Sequence, residues 1–324
     1  AGRAVAEILL PPAAAITGAK RVLVVPHGIL HYLPFETLPL GDGRLLVEAA
    51  AVAYAPSAAS LAYLRSRPRP APGGVVAIGN PVFAGAGAAE ERLAALRSVG
   101  FLKPLPWSGR EIGALAASYS GTRVLEQERA TEPALRQSDL EHAAILHFAT
   151  HGFVDEQTPE RSGLALSVAP GSDGILQTRE VYGLRLQASL VTLSACQTAL
   201  GKQVAGEGVL GLSRAFFHAG ARAVMASLWN VNDASTSEYM QRFYAALREG
   251  EAADAAARSA KLSFLTDARL RHPYFWGAFV VSGDAAASVR VRTPRYRYGP
   301  AVGLVLLAAM PVGLLLRRRG PAVR

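Results

Sequence analysis

The chain has 324 residues, half of them apolar and 18% charged, proportions that fit a folded body and exclude a disordered one. Its formal charge is +9, yet no acid follows Asp284 while eight arginines do: Arg290, Arg292, Arg295, Arg297, Arg317, Arg318, Arg319 and Arg324. Without them residues 1–284 carry about +1, which argues against the basic face that nucleic-acid binding requires.

In chain order, residues 1–20 read as the end of an upstream region, because the chain starts on alanine and shows no basic-then-apolar leader. A run at 22–25 leads into turns at Pro26-His27-Gly28 and Leu33-Pro34-Phe35. The stretch 67–74, rich in Pro, Arg and Gly, reads as a linker. Short, nearly continuous apolar runs at 75–78, 145–149, 190–195, 223–228 and 279–282 predict strands buried on both faces, as in a parallel sheet. Helical spacing predicts helices over 111–119, 208–219, 235–248 and 251–265. The alternation implies an α/β chain, with helices layered on both sides of a mostly parallel sheet.

Two polar residues stand where such sheets place their chemistry. The run 145–149 ends in Thr150-His151-Gly152, and the run 190–195 ends at Cys196, the only cysteine. Neighbouring strand ends lie about 5 Å apart, which suits a Cys–His pair. An imidazole there lowers the thiol pKa, takes its proton and returns it to a leaving amine. Gly152 has no side chain to block its N–H, so Gly152 and Cys196 N–H groups form a candidate oxyanion hole. The structural alternative, a lone buried cysteine acting as a small hydrophobe, stays open on spacing alone. Of the other histidines, His147 lies inside its strand and reads as a packed core residue.

An ordered set of motifs weighs against that alternative. Val25-Pro26-His27-Gly28, Leu33-Pro34-Phe35-Glu36, Tyr54-Ala55-Pro56-Ser57 and Gly79-Asn80-Pro81 precede Leu146-His147-Phe148-Ala149-Thr150-His151-Gly152. Leu190-Val191-Thr192-Leu193-Ser194-Ala195-Cys196-Gln197-Thr198, Gly206-Glu207-Gly208, Ala219-Gly220-Ala221-Arg222, Ser227-Leu228-Trp229 and His272-Pro273-Tyr274 follow. Over about residues 20–284 the chain resembles the CHAT domain family of caspase-like peptidases, often fused to tetratricopeptide repeats. The resemblance implies a caspase-like three-layer α/β/α sandwich and a catalytic dyad of His151 and Cys196. It also implies a protein substrate, regulation by partner domains such as an upstream repeat region, and no metal or organic cofactor. Gln197 stands where many members have Glu, which alters local charge but removes no reacting group. The strand after the cysteine is expected to line the cleft, with Ser227 and Trp229 beside the substrate. Asp155 and Asp233 are candidates to select a basic side chain, or else a loop carboxylate and a helix cap. A non-proteolytic scaffold of the same fold, or a thiol amidase or acyltransferase, is the alternative function.

The domain reading is therefore a CHAT domain over 21–285, a basic linker over 286–297, a candidate membrane span over 298–316 and a basic tail over 317–324. The span has nineteen uncharged residues, about 28 Å as a helix. It predicts a C-terminal hydrophobic helix and membrane anchoring, with the catalytic domain in the cytoplasm. A buried helix and a surface-sorting tail are its alternatives.

Overall fold

The computed structural model describes residues 2–83, 104–153, 158–194 and 208–292, within one compact unit, Ala1–Arg292. Helix α1 (Gly2–Leu9) and strand β1 (Arg21–Val24) lead to β2 (Ala51–Tyr54), α2 (Ala58–Ser66), β3 (Gly74–Pro81) and α3 (Pro106–Ser118). Next come β4 (Arg123–Gln127), β5 (Ala143–Ala149) and the short strands β6 (Gly152–Phe153), β7 (Gly163–Ala165) and β8 (Ile175–Gln177). The chain continues through β9 (Leu190–Leu193), α4 (Gly208–Ala219), β10 (Ala223–Ser227), α5 (Asp233–Arg248), α6 (Ala253–Leu265) and β11 (Phe279–Gly283).

Eight strands form one sheet in the order β1-β2-β11-β10-β9-β5-β3-β4. Every neighbouring pair is parallel except β10 with β11. The strands β6, β7 and β8 make a separate antiparallel sheet. Parallel strands covered on both faces need apolar residues at every position, and all seven residues of β5 are buried. Ile145 and Ala149 join the core under α3, α5 and α6, with Ile112, Tyr239, Phe243 and Phe264. Leu146 and Phe148 join the opposite core with Leu212 and Phe216 of α4 and Leu164 and Leu176 of the small sheet. Helices on both faces of a mostly parallel sheet match the predicted architecture.

The first two strands are tied on by buried charge. Glu36 accepts from Lys261 Nζ of α6 at 2.6 Å and from the Tyr54 hydroxyl. The same phenol oxygen accepts the Phe35 N–H at 2.9 Å. Burial, then the Glu36 carboxylate, push the Tyr54 phenol well above its ordinary pKa, so it stays a donor. At the other end of β10, Arg222 pairs with Asp284 at 2.6 Å and donates to the carbonyls of Arg67 and Pro68. The stretch 67–74 is thus anchored to the sheet rather than free of it.

Among the described residues no helix is long and apolar enough to cross a membrane. The expectation of a C-terminal hydrophobic helix and a membrane address is corrected accordingly; it rested on 298–316, which lie outside the described residues.

Candidate functional site

The site is built where β5 and β9 run side by side. Their register pairs Ile145 with Leu190, Leu146 with Val191, His147 with Thr192 and Phe148 with Leu193. One further hydrogen bond, Ser194 N–H to the Phe148 carbonyl at 2.9 Å, carries the pairing past the end of β9. The Ser194 hydroxyl is buried and has no hydrogen-bond partner among the described residues. Cys196 and Asp155 lie outside the described residues.

His151 follows β5 by two residues and is only 5% exposed. Its backbone is held by β7: Ala165 donates its N–H to the His151 carbonyl at 2.8 Å, and the buried Thr150 hydroxyl donates to the Ala165 carbonyl. Thr150 thus has a physical role in its motif, as a clamp on the residue before the histidine. The His151 ring packs against Phe83, with centroids 5.5 Å apart and planes tilted by 38°. Phe83 was invisible to sequence reasoning, although it follows Gly79-Asn80-Pro81 at the end of a neighbouring strand. Gly79 itself sits against Ala149, where a Cβ would come within 2.8 Å of the Ala149 carbonyl oxygen. Only glycine lets β3 approach β5 this closely without shifting backbone.

Gly152 begins β6 opposite Leu164. In an antiparallel pair, hydrogen-bonded and non-hydrogen-bonded positions alternate. His151 and Ala165 form the bonded position, so the Gly152 N–H points away from β7 and is not used by that ladder.

The segment after β10 is braced from the side. Ser227 is buried and opposite Phe279 of β11. Trp229 is half-buried, and its indole N–H donates to the Tyr274 carbonyl at 3.1 Å. The Tyr274 hydroxyl returns a bond to the Asn230 carbonyl at 3.0 Å. The motifs around Trp229 and Tyr274, 45 residues apart, therefore meet in space. Asp233 points to α3, where it accepts the Trp107 N–H at 2.9 Å. Burial raises its pKa, the Trp107 bond opposes this, and Glu111 raises it further. The cap of α5 is Asn232, whose side chain accepts from Ala234 and Ser235.

Behind the strand ends lies a buried polar group. The Tyr244 hydroxyl of α5 donates to Thr192 Oγ at 2.8 Å and meets His147 Nδ1 at 2.8 Å. It bridges two register partners of β5 and β9. On the other side of the ring, His147 Nε2 and Glu111 Oε1 are 2.8 Å apart but not aligned for a hydrogen bond. His147 is a core residue, as predicted, but one embedded in a polar network.

Residues 1–284 match the family model of the CHAT domain. The chain is 32% identical over 151 residues to tetratricopeptide repeat protein 28 of Homo sapiens, covering 46% of this chain and 6% of that protein. The Mus musculus protein of the same name gives 32% over 132 residues, covering 41% of this chain and 5% of that protein. The match thus spans about a twentieth of the length of these curated relatives. Among solved structures, the Arg specific cysteine proteinase gingipain R is similar with a TM-score of 0.48 at 12% identity, covering 76% of this chain and 56% of that one.

Proposed function

The chain belongs to the CHAT domain family, and from that premise we propose that it is a caspase-like cysteine endopeptidase acting through Cys196 and His151. One observation carries the reading. Each β5–β9 pair is 45 positions apart, Phe148 with Leu193 for example, and the same interval separates His151 from Cys196. Adjacent strands lie about 4.8 Å apart, so the equal interval supports pairing the imidazole with the thiol.

The chemistry follows from that juxtaposition. His151 takes the thiol proton, and the Cys196 thiolate attacks the scissile carbonyl. The imidazolium gives its proton to the departing amine, leaving an acyl thioester on Cys196. His151 then deprotonates a water that hydrolyses the thioester. The unused direction of the Gly152 N–H supports it as an oxyanion donor, with the Cys196 N–H as the second. Phe83 supports the imidazole by packing against one side of its ring. Ser227 and Trp229 border the cleft in this reading. Asp233 is committed to Trp107, which leaves Asp155 as the candidate for selecting a basic side chain. An upstream tetratricopeptide region is the regulatory partner; the names of the human and mouse relatives support that assignment.

A peptide acyloxymethyl ketone tests the reading. It should label the wild-type chain at Cys196, and Cys196→Ala should abolish the adduct. His151→Ala should slow labelling by about 100-fold or more. Equal labelling of either variant overturns the dyad.

A further inference from the structure

The proposed chemistry uses His151 and Cys196 but not the buried hydroxyl that joins the two strands they follow. The Tyr244 phenol of α5 contacts one side chain from each strand, His147 Nδ1 of β5 and Thr192 Oγ of β9, both at 2.8 Å. These two residues are register partners. His151 follows His147 by four positions, and Cys196 follows Thr192 by four. The bridge therefore stands equally far along the chain from each member of the proposed dyad.

The bridge is itself braced. Tyr119, at the end of α3, donates its hydroxyl to the Tyr244 carbonyl at 3.3 Å, and the Tyr244 and His147 rings meet edge-on with centroids 5.5 Å apart. Tyr244, His147 and Thr192 are all buried. Beyond the bridge, β5 and β9 share less. Their last main-chain bond among the described residues is Ser194 N–H to the Phe148 carbonyl, and the His151 carbonyl turns to Ala165 of β7 instead. The separation of the two strand ends is therefore set further back. A hydrogen-bonded bridge fixes that separation in length and direction, which non-directional apolar contact does not.

We propose that Tyr244 is a positioning residue for the dyad: its hydroxyl ties β5 to β9 and so sets how the imidazole meets the thiol. The proposal rests on the reading of Cys196 and His151 as the reacting pair. Tyr244 touches neither substrate nor dyad in this assignment; it acts through His147 and Thr192 on the strands that lead to the site. A misplacement of about 1 Å at reacting atoms lowers a rate about 100-fold, so a group remote from the chemistry can govern it. Tyr244→Phe removes the bridging oxygen and keeps the ring that packs against His147.

Labelling of the whole chain by the peptide acyloxymethyl ketone, followed over reagent concentration and pH, tests the role. Tyr244→Phe should lower the maximal labelling rate about 10-fold or more and leave the half-saturating concentration unchanged. Its pH profile should move upward, because a thiolate less well paired with the imidazolium forms at higher pH. Thr192→Val should act in the same direction, and Thr192→Ser, which keeps a hydroxyl, should label like wild type. The double variant Tyr244→Phe/Thr192→Val should be no slower than Tyr244→Phe, since one bridge is lost in both. Tyr239→Phe is the structural control: Tyr239 is also buried on α5, but its hydroxyl donates to the Ala257 carbonyl of α6 at 3.4 Å. It should lower the melting temperature without moving the rate or the pH profile. A Tyr244→Phe chain that matches Tyr239→Phe in rate and pH profile overturns the positioning role and leaves the dyad standing. Should Tyr244→Phe fail to fold, equal labelling of Thr192→Val and Thr192→Ser overturns it instead. A wild type that is not labelled at Cys196 overturns the dyad, and this role with it.

Discussion

Two buried polar clusters draw on α6 and α5, through Lys261 and Tyr244, and they are finished to different degrees. Around Glu36 each charged group has an aligned partner: Lys261, the Tyr54 hydroxyl and, through that hydroxyl, the Phe35 N–H. Around His147 the Tyr244 hydroxyl is well placed, but Glu111 Oε1 and His147 Nε2 face each other without a hydrogen bond. With the hydroxyl donating to Thr192, Nδ1 must donate to the hydroxyl. A fully satisfied cluster holds one arrangement; a partly satisfied one leaves room for adjustment. The first joins β1 and β2 to the body. The second lies behind the strand ends that carry the candidate dyad.

The largest test of this contrast is Lys261→Met. It strands the Glu36 carboxylate in the core and should cost about 3–5 kcal/mol in urea unfolding. Adding Glu36→Gln should return more than about 1 kcal/mol of that loss, since the two residues are in direct contact. A cost for Lys261→Met no greater than that of an exposed lysine removes the distinction between the clusters.

Tyr244→Phe comes next. It leaves Thr192 and His147 Nδ1 without their bridge and should cost about 1–3 kcal/mol. Hydrogen exchange should quicken along β5 and β9 and stay unchanged along β1 and β2. Equal changes in both regions mean that the clusters act as one.

Glu111→Gln should be mildest, within about 1 kcal/mol, because no aligned bond is lost. It also removes a charge that raises the Asp233 pKa. The folded-state pKa of Asp233 lies above its ordinary 3.8, so its contribution to stability is present at low pH and declines as pH rises through the folded value. The variant should bring that pKa down, as carbon-detected NMR titration would show, and should lose less stability between about pH 4 and neutrality.

Much of this fold was legible because parallel strands buried on both faces announce themselves as apolar runs. The predicted strand at 145–149 and helix at 208–219 correspond to β5 and α4. β4 was not legible: Arg-Val-Leu-Glu-Gln is an edge with one buried residue, and its polar outer positions erase the pattern. The small sheet was missed for a related reason, since strands of two or three residues hold no periodicity. At the candidate site, the placement of His151 after a buried strand was readable from its apolar approach. Phe83 and Ala165 were not, because they reach the histidine from elements distant in sequence. Asp233 was ambiguous between cap and selector; Asn232 beside it is the better cap of α5, and Asp233 serves the neighbouring helix.

That last pairing has a kinetic consequence. Asn232 and Asp233 are consecutive, yet one closes the start of α5 and the other the start of α3. Any opening of the segment that follows β10 must uncap both helices in the same event. The amides of Trp107, Ala234 and Ser235 should therefore exchange with solvent at one shared rate, a clock for the breathing of this wall that needs no substrate to read.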